Sequence, residues 1–206
     1  MADDAIIAQA IRTKTRLGPG TYHITTPIVL GFNEWLRGSG VDTYLVTDIL
    51  KLTMISITGS SAMITDVHVG RFDWPTVMGV GISSAGLYDR TLIDNVWVDG
   101  KYDTACLHLS GGAASSSIRH STFWNYAQQR FTAIFDHVSD WSNVQAEYHQ
   151  QSPVTNSAVV WITNGASAIR FFGGNISYKT GSGAPGYFDD AANARQLYGT
   201  TLYQEP

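Results

Sequence analysis

Residues 64–69 read ITDVHV, and residues 93–98, 29 positions on, read IDNVWV. Four further segments align beneath them: IRHSTF (118–123), WSNVQA (141–146), IRFFGG (169–174) and ARQLYG (194–199). The alignment draws a ladder through Val67, Val96, Ser121, Val144, Phe172 and Leu197. A second ladder, Ile57, Ile82, Leu109, Phe135, Val160 and Phe188, climbs in steps of 25, 27, 26, 25 and 28 residues. A repeat of this size marks a stacked array, in which no unit can bury its apolar face alone. Each unit reads as short strand, turn, short strand and longer loop, without a helical pattern. One coil per repeat gives an all-β, single-stranded parallel β-helix. A β-sandwich also has short strands punctuated by turns, but its strands need no common spacing in two interleaved ladders.

At 206 residues the chain suits one domain whose core needs no cross-links. Twenty glycines and 15% charged residues fit a turn-rich β-protein. Cys106, the only cysteine, sits in TACLHL and reads as a small buried apolar residue. The six histidines show no paired Cys/His spacing, so neither a metal nor another cofactor is expected. A net charge of −4 gives no support to a nucleic-acid surface. No apolar run is long enough for a membrane span. The opening residues, MADDAIIAQAIRTK, lack a basic-then-apolar leader, so no signal peptide is visible.

Asp3 and Asp4 precede AIIAQAI, which places Ile6, Ile7, Ala10 and Ile11 on one helical face. Two acids there suit helix capping and the positive end of the dipole. Residues 1–20 are expected to form a capping helix and turn over the lower end of the coils, and residues 21–206 the β-helix. A strand begins at Thr21, within LGPGTYHITTPIVL, and EWLRGSG (34–40) and DTYLV (42–46) follow.

Asp3-Asp4-Ala5, Ala8-Gln9-Ala10-Ile11, Pro19-Gly20-Thr21-Tyr22 and Leu36-Arg37-Gly38-Ser39-Gly40, with Thr43 and Leu45, resemble the opening of the pectate-lyase-like right-handed β-helix proteins. Phage tailspikes and polysaccharide-degrading enzymes belong to that family. Phe171-Phe172-Gly173-Gly174-Asn175 is similar to a late tailspike coil. The resemblance spans about residues 3–46 by motif and the remainder by period alone. It implies a right-handed coil, a homotrimer and, for a phage protein, a place in the virion tail. The family includes lyases, hydrolases and inert scaffolds, so the fold does not decide activity.

If coils stack, the loops leaving the first ladder emerge along one edge: 70–78, 99–104, 124–131, 148–156 and 178–186. They bring together Trp74, Tyr102, Trp124, Tyr126 and Tyr148 with Arg130, His149, amides and acids. Rings beside hydrogen-bonding groups suit a sugar, whose apolar face lies on the ring while its hydroxyls reach the polar groups. The expected partner is therefore a polysaccharide, and the expected role is recognition of a host surface. The alternative is an enzyme working on that same edge. Asp99 aligns with Trp124 and then Glu147, two coils on, which puts the two acids about 9.6 Å apart and makes them the candidate catalytic pair of an inverting hydrolase. Asp73 and Asp103 are further candidates. A purely structural coil is the third possibility. Asn95, His120 and Asn143 recur just before the ladder position and suit a stack of hydrogen bonds along the axis.

Overall fold

The ITDVHV motif is a corner, and the corner sets the coil. Its third residue takes left-handed backbone in every repeat: Asp66 at φ 57°, Asn95 at 52°, His120 at 46°, Gln145 at 50°, and Gly173 and Gly199 at 64° and 69°. That conformation costs most L-residues about 1–2 kcal/mol and is easiest for glycine, asparagine and aspartate. It turns the chain sharply between two strands, and the next residue then points inward. Six successive corners each span two residues, from 66–67 to 199–200.

In this computed structural model the described residues are 2–86, 89–111, 115–127, 131–151, 158–179, 186–190 and 193–205. They wind into an all-β, right-handed parallel β-helix with a short N-terminal helix. Each coil contributes three strands, not two, to sheets of eight, seven and seven parallel strands. Sheet A contains Gly20–His23, Thr43–Val46, His68–Val69, Trp97–Gly100, Thr122–Asn125, Glu147–Gln150, Asn175–Lys179 and Thr201–Glu205. Sheet B runs from Ile28–Leu30 to Gly186–Asp190, and sheet C from Trp35–Arg37 to Arg195–Tyr198. Each two-residue corner joins a strand of sheet C to one of sheet A.

The core is a bundle of inward columns. Leu45, Val69, Val98, Phe123, Tyr148 and Ile176 pair strand to strand along sheet A, and all six are buried. The second ladder holds in face but merges two inward columns of sheet B. Ile82 and Val160 share a column with Ile55, Leu107 and Ala133, whereas Ile57, Leu109 and Phe135 share another with Leu30 and Ile162.

The first ladder is correct only in its lower half. Val67, Val96 and Ser121 are buried at successive corners, and the Ser121 hydroxyl donates to the Arg119 carbonyl at 2.6 Å. The next member is Ala146, not Val144, because Ile118 pairs with Asn143 and Arg119 with Val144. The alignment was therefore two residues out at 141–146 and 169–174 and three out at 194–199, where the corner residue is Thr200. A slip of two is harmless within a strand, where side chains alternate. Across the left-handed corner it exchanges the faces. Val144 is accordingly half-buried and Phe172 36% exposed, while Leu197 belongs to the Phe171 column.

The corner column narrows over its first five members, before Thr200. Valine at 67 and 96 gives way to Ser121, Ala146 and Gly174. A Cβ on Gly174 would lie 2.1 Å from the Ala146 carbonyl oxygen, and its φ is 72°.

The helix spans Asp4–Thr13, and Ile7, Ala10 and Ile11 join the same core as the coils. Ile6 lies off that face, 55% exposed. The acids also act differently from expectation. Asp3 makes no side-chain cap bond but accepts the His23 backbone N–H at 2.7 Å. Asp4 accepts the Thr25 N–H and hydroxyl at 3.0 and 2.6 Å. Burial is the largest single influence on the Asp4 carboxyl and raises it, but the bonds from Thr25 and Thr26 together outweigh it and hold it below the usual value. The two acids thus tie the helix to the end of the first coil.

Candidate functional site

Strand alternation sends every second residue of sheet A outward, and two outward columns result. One reads Tyr44, His68, Trp97, Thr122, Glu147, Asn175 and Thr201. The other reads Asp99, Trp124, His149, Ser177 and Tyr203. These columns carry the chemistry of the molecule.

In the lower coils the first column is aromatic. His68 lies between Tyr44 and Trp97, with ring centroids 4.6 and 5.8 Å away. Its Nε2 meets the Asp99 carboxylate at 2.7 Å, and both side chains are buried. One coil above Trp97 the column changes to short polar residues, and a groove opens. Thr122, Glu147, Asn175 and Thr201 form its floor, and His120, Gln145, Gly174 and Gly199 of the corners form its wall. Its volume is about 490 Å³. Three coil steps of roughly 4.8 Å make it about 14 Å long from Thr122 to Thr201.

On the far side of the groove stands a ring stack. Trp124 lies 5.3 Å from Tyr126 at 10° and 4.9 Å from His149, and Tyr126 reaches Phe72 at 6.1 Å. Desolvation, reinforced by the charge of Asp99, pushes the Tyr126 phenol up to about 12. Behind the stack, His149 Nδ1 lies 2.6 Å from the Ser177 hydroxyl, which donates to Glu205 at 2.5 Å. His149 Nε2 is 3.4 Å from Glu147 Oε2, and Asn175 donates to Glu147 Oε1 at 3.0 Å. Glu147 therefore belongs both to the groove and to a hydrogen-bonded network that fixes its carboxylate.

The sequence expectations divide accordingly. Trp124, Tyr126, Glu147, His149 and Asp99 come together on the outer face of sheet A. Tyr102 and Tyr148 do not, because their rings are wholly inside the coil. The Tyr102 hydroxyl donates to the Val69 carbonyl at 2.8 Å, and that of Tyr148 to Asn143 Oδ1 at 2.7 Å. Residues 99–104 are not a loop: a single residue, Lys101, separates the strands Trp97–Gly100 and Tyr102–Ser110. Trp74 packs over the first coils, its indole donating to the Thr47 carbonyl at 2.8 Å. Arg130 lies outside the described residues, as do parts of the loops at 128–130 and 152–157.

The alignment of Asp99 with Glu147 is also corrected. Asp99 pairs in register with Trp124 and then His149, whereas Glu147 continues the column of Trp97 and Thr122. The two backbones are on the order of 12 Å apart, two coils along the axis and two residues across it. Asp99 is buried against His68, so it does not open onto the groove. Asp73 is paired with Arg71 at 2.7 Å and Asp103 with Lys51 at 3.0 Å. The corner stack is Asp66, Asn95, His120 and Gln145; Asn143 is a core residue. Sequence reasoning missed Trp97, Thr122, Asn175 and Thr201, although Trp97 stands in the IDNVWV motif itself.

Among the described residues no group of three or more His, Cys, Asp or Glu side chains is arranged to hold a metal ion. No helix there is long and apolar enough to cross a membrane.

No protein-family model matches the chain, and no curated protein matches it. Solved structures similar to it include the Dettilon tailspike protein, 10% identical with a TM-score of 0.38, aligned over 97% of this chain. The product of open reading frame 18 of Geobacillus virus E2 is 12% identical with a TM-score of 0.42, aligned over 99% of this chain. The chain spans 57% of the length of each of these proteins.

Proposed function

We propose that the outer face of sheet A binds a polysaccharide, and that the chain is a tailspike-type β-helix recognising a host surface. The observation that supports this best is the juxtaposition of the Trp124–Tyr126 ring stack with a long groove floored by threonine, glutamate and asparagine. A rigid ring offers a flat platform for the apolar face of a sugar. Hydroxyl, amide and carboxylate groups at fixed one-coil intervals match the hydroxyls of a chain lying along the axis. The motif resemblance at residues 3–46 agrees with this role, and it extends the proposal to a homotrimer in a virion tail.

Binding fits the geometry better than two-carboxylate hydrolysis. Glu147 faces the groove, but Asp99 is committed to His68 and is not in its column. The decisive experiment is titration with purified surface polysaccharides, together with an assay for new reducing ends or unsaturated sugars. Retained binding without product formation supports recognition alone. Truncating Trp124 to Ala is expected to weaken binding by about 1–3 kcal/mol. Unchanged affinity in that variant removes the ring stack from the site.

A further inference from the structure

We infer that the sheet A groove selects neutral polysaccharides and rejects acidic ones. This deepens the glycan assignment and rests on it. Among the described residues the groove lining holds one carboxylate, that of Glu147, and no lysine or arginine. The network behind Glu147 holds it in place. Asn175 Nδ2 occupies one oxygen at 3.0 Å and His149 Nε2 lies 3.4 Å from the other. Neither contact supplies a cation to the ligand, because His149 is buried beneath the face, bonded on its other side to Ser177. His120, on the opposite wall, directs Nδ1 to Asp94 at 3.0 Å.

A sugar hydroxyl meets this surface as a donor to the Glu147 carboxylate or as an acceptor from Thr122, Thr201 or Asn175. A uronate or sialate carboxylate meets like charge, with no lysine or arginine countercharge among the described lining residues. Repulsion of that kind excludes a competitor more sharply than lost attraction does. The ring platform at Trp124 does not discriminate, since acidic and neutral sugars both have an apolar face. Selectivity is therefore placed on one carboxylate.

The test uses an array of purified bacterial polysaccharides, neutral and uronate- or sialate-bearing, probed with the wild-type chain, Glu147→Gln and Asn175→Trp. Both altered positions face outward, and equal thermal midpoints confirm that the coils remain intact. The expected result is binding of neutral polysaccharides by wild type. Glu147→Gln should then raise the acidic-to-neutral binding ratio at least tenfold, and Asn175→Trp, which fills the groove, should abolish binding. Wild-type preference for acidic polysaccharides, or an unchanged ratio in Glu147→Gln, overturns the selectivity and leaves the glycan assignment standing. Intact binding by Asn175→Trp moves the glycan off the groove and also overturns it. No binding to either set overturns the glycan assignment, and the selectivity falls with it.

Discussion

Asn95 donates its side-chain amide to the Asp66 carboxylate at 2.8 Å, one coil below, and both residues have left-handed backbone. The same two side chains therefore permit the corner conformation and join successive corners.

Substitutions at Asn95 separate those two roles. Asn95→Gly loses the hydrogen bond but fits the backbone freely, whereas Asn95→Val loses both. A β-branched residue at positive φ is strongly disfavoured, so the valine variant should be less stable than the glycine variant by about 1–2 kcal/mol. Urea unfolding of the pair checks this, and equal stabilities would show that the corner tolerates strain.

Val96 lies one residue further on, 1% exposed in the corner column. Val96→Asp would bury a charge with no partner, at a cost of several kcal/mol. The expected outcome is loss of soluble protein. A folded, soluble variant would contradict the inward assignment of this column.

The His68–Asp99 pair reads as structural. Among the described residues His68 Nδ1 is buried without a hydrogen-bond partner, and Nε2 is bonded to Asp99. Asp99→Ala should destabilise the fold by about 3–5 kcal/mol, as expected when one member of a buried pair is removed. Asp99→Asn should cost less, because its amide oxygen still accepts from His68. A catalytic Asp99 predicts the reverse pattern, with stability unchanged and turnover lost.

Alkaline titration should divide the tyrosines. Burial pushes Tyr102 well above 10, with Cys106 and Asp99 adding to it, and burial alone does so for Tyr148. Tyr126 rises to about 12 by burial first and the charge of Asp99 second. Each folded value exceeds the unfolded one, so the stabilisation is complete below pH 10 and is lost as pH rises through the folded values. Thermal midpoints should fall from about pH 10 upward. Ultraviolet difference spectra should show Tyr102 and Tyr148 ionising only together with unfolding.

The period of the chain was legible because valine, isoleucine and leucine recur where the coil needs them. Register was legible only up to Ser121. At the next coil Asn143 takes the inward place that Ile64, Ile93 and Ile118 hold below, and its polarity hid it. It is tolerated there because it accepts from the Tyr148 hydroxyl and donates to the Arg170 carbonyl. Matching Val144 to Val67 instead was locally attractive and left Phe172 two residues and Leu197 three residues short of the corner column. The site suffered from the same slip. Glu147 was placed beside Asp99, and Tyr102 and Tyr148 were read as loop rings because aromatic residues near turns can equally be core. Trp124, Tyr126 and His149 were found by their loop-edge position, whereas the groove is visible only once outward columns are counted from the corners.

The contrast between the corners of the coil has a consequence for how such a chain can change over generations. Sheets C and A meet six times through two residues, one left-handed and one inward. An insertion there would rotate every following side chain to the wrong face. The passage from sheet A to sheet B is unconstrained in this way: it takes eight residues at 70–77 and one at Lys101. The passage from sheet B to sheet C also varies, from two residues at 137–138 to six at 86–91, so length variation is kept away from the C-to-A corner. Neighbouring residues on sheet A can acquire new walls from lengthened loops while the ladder beneath them keeps its count.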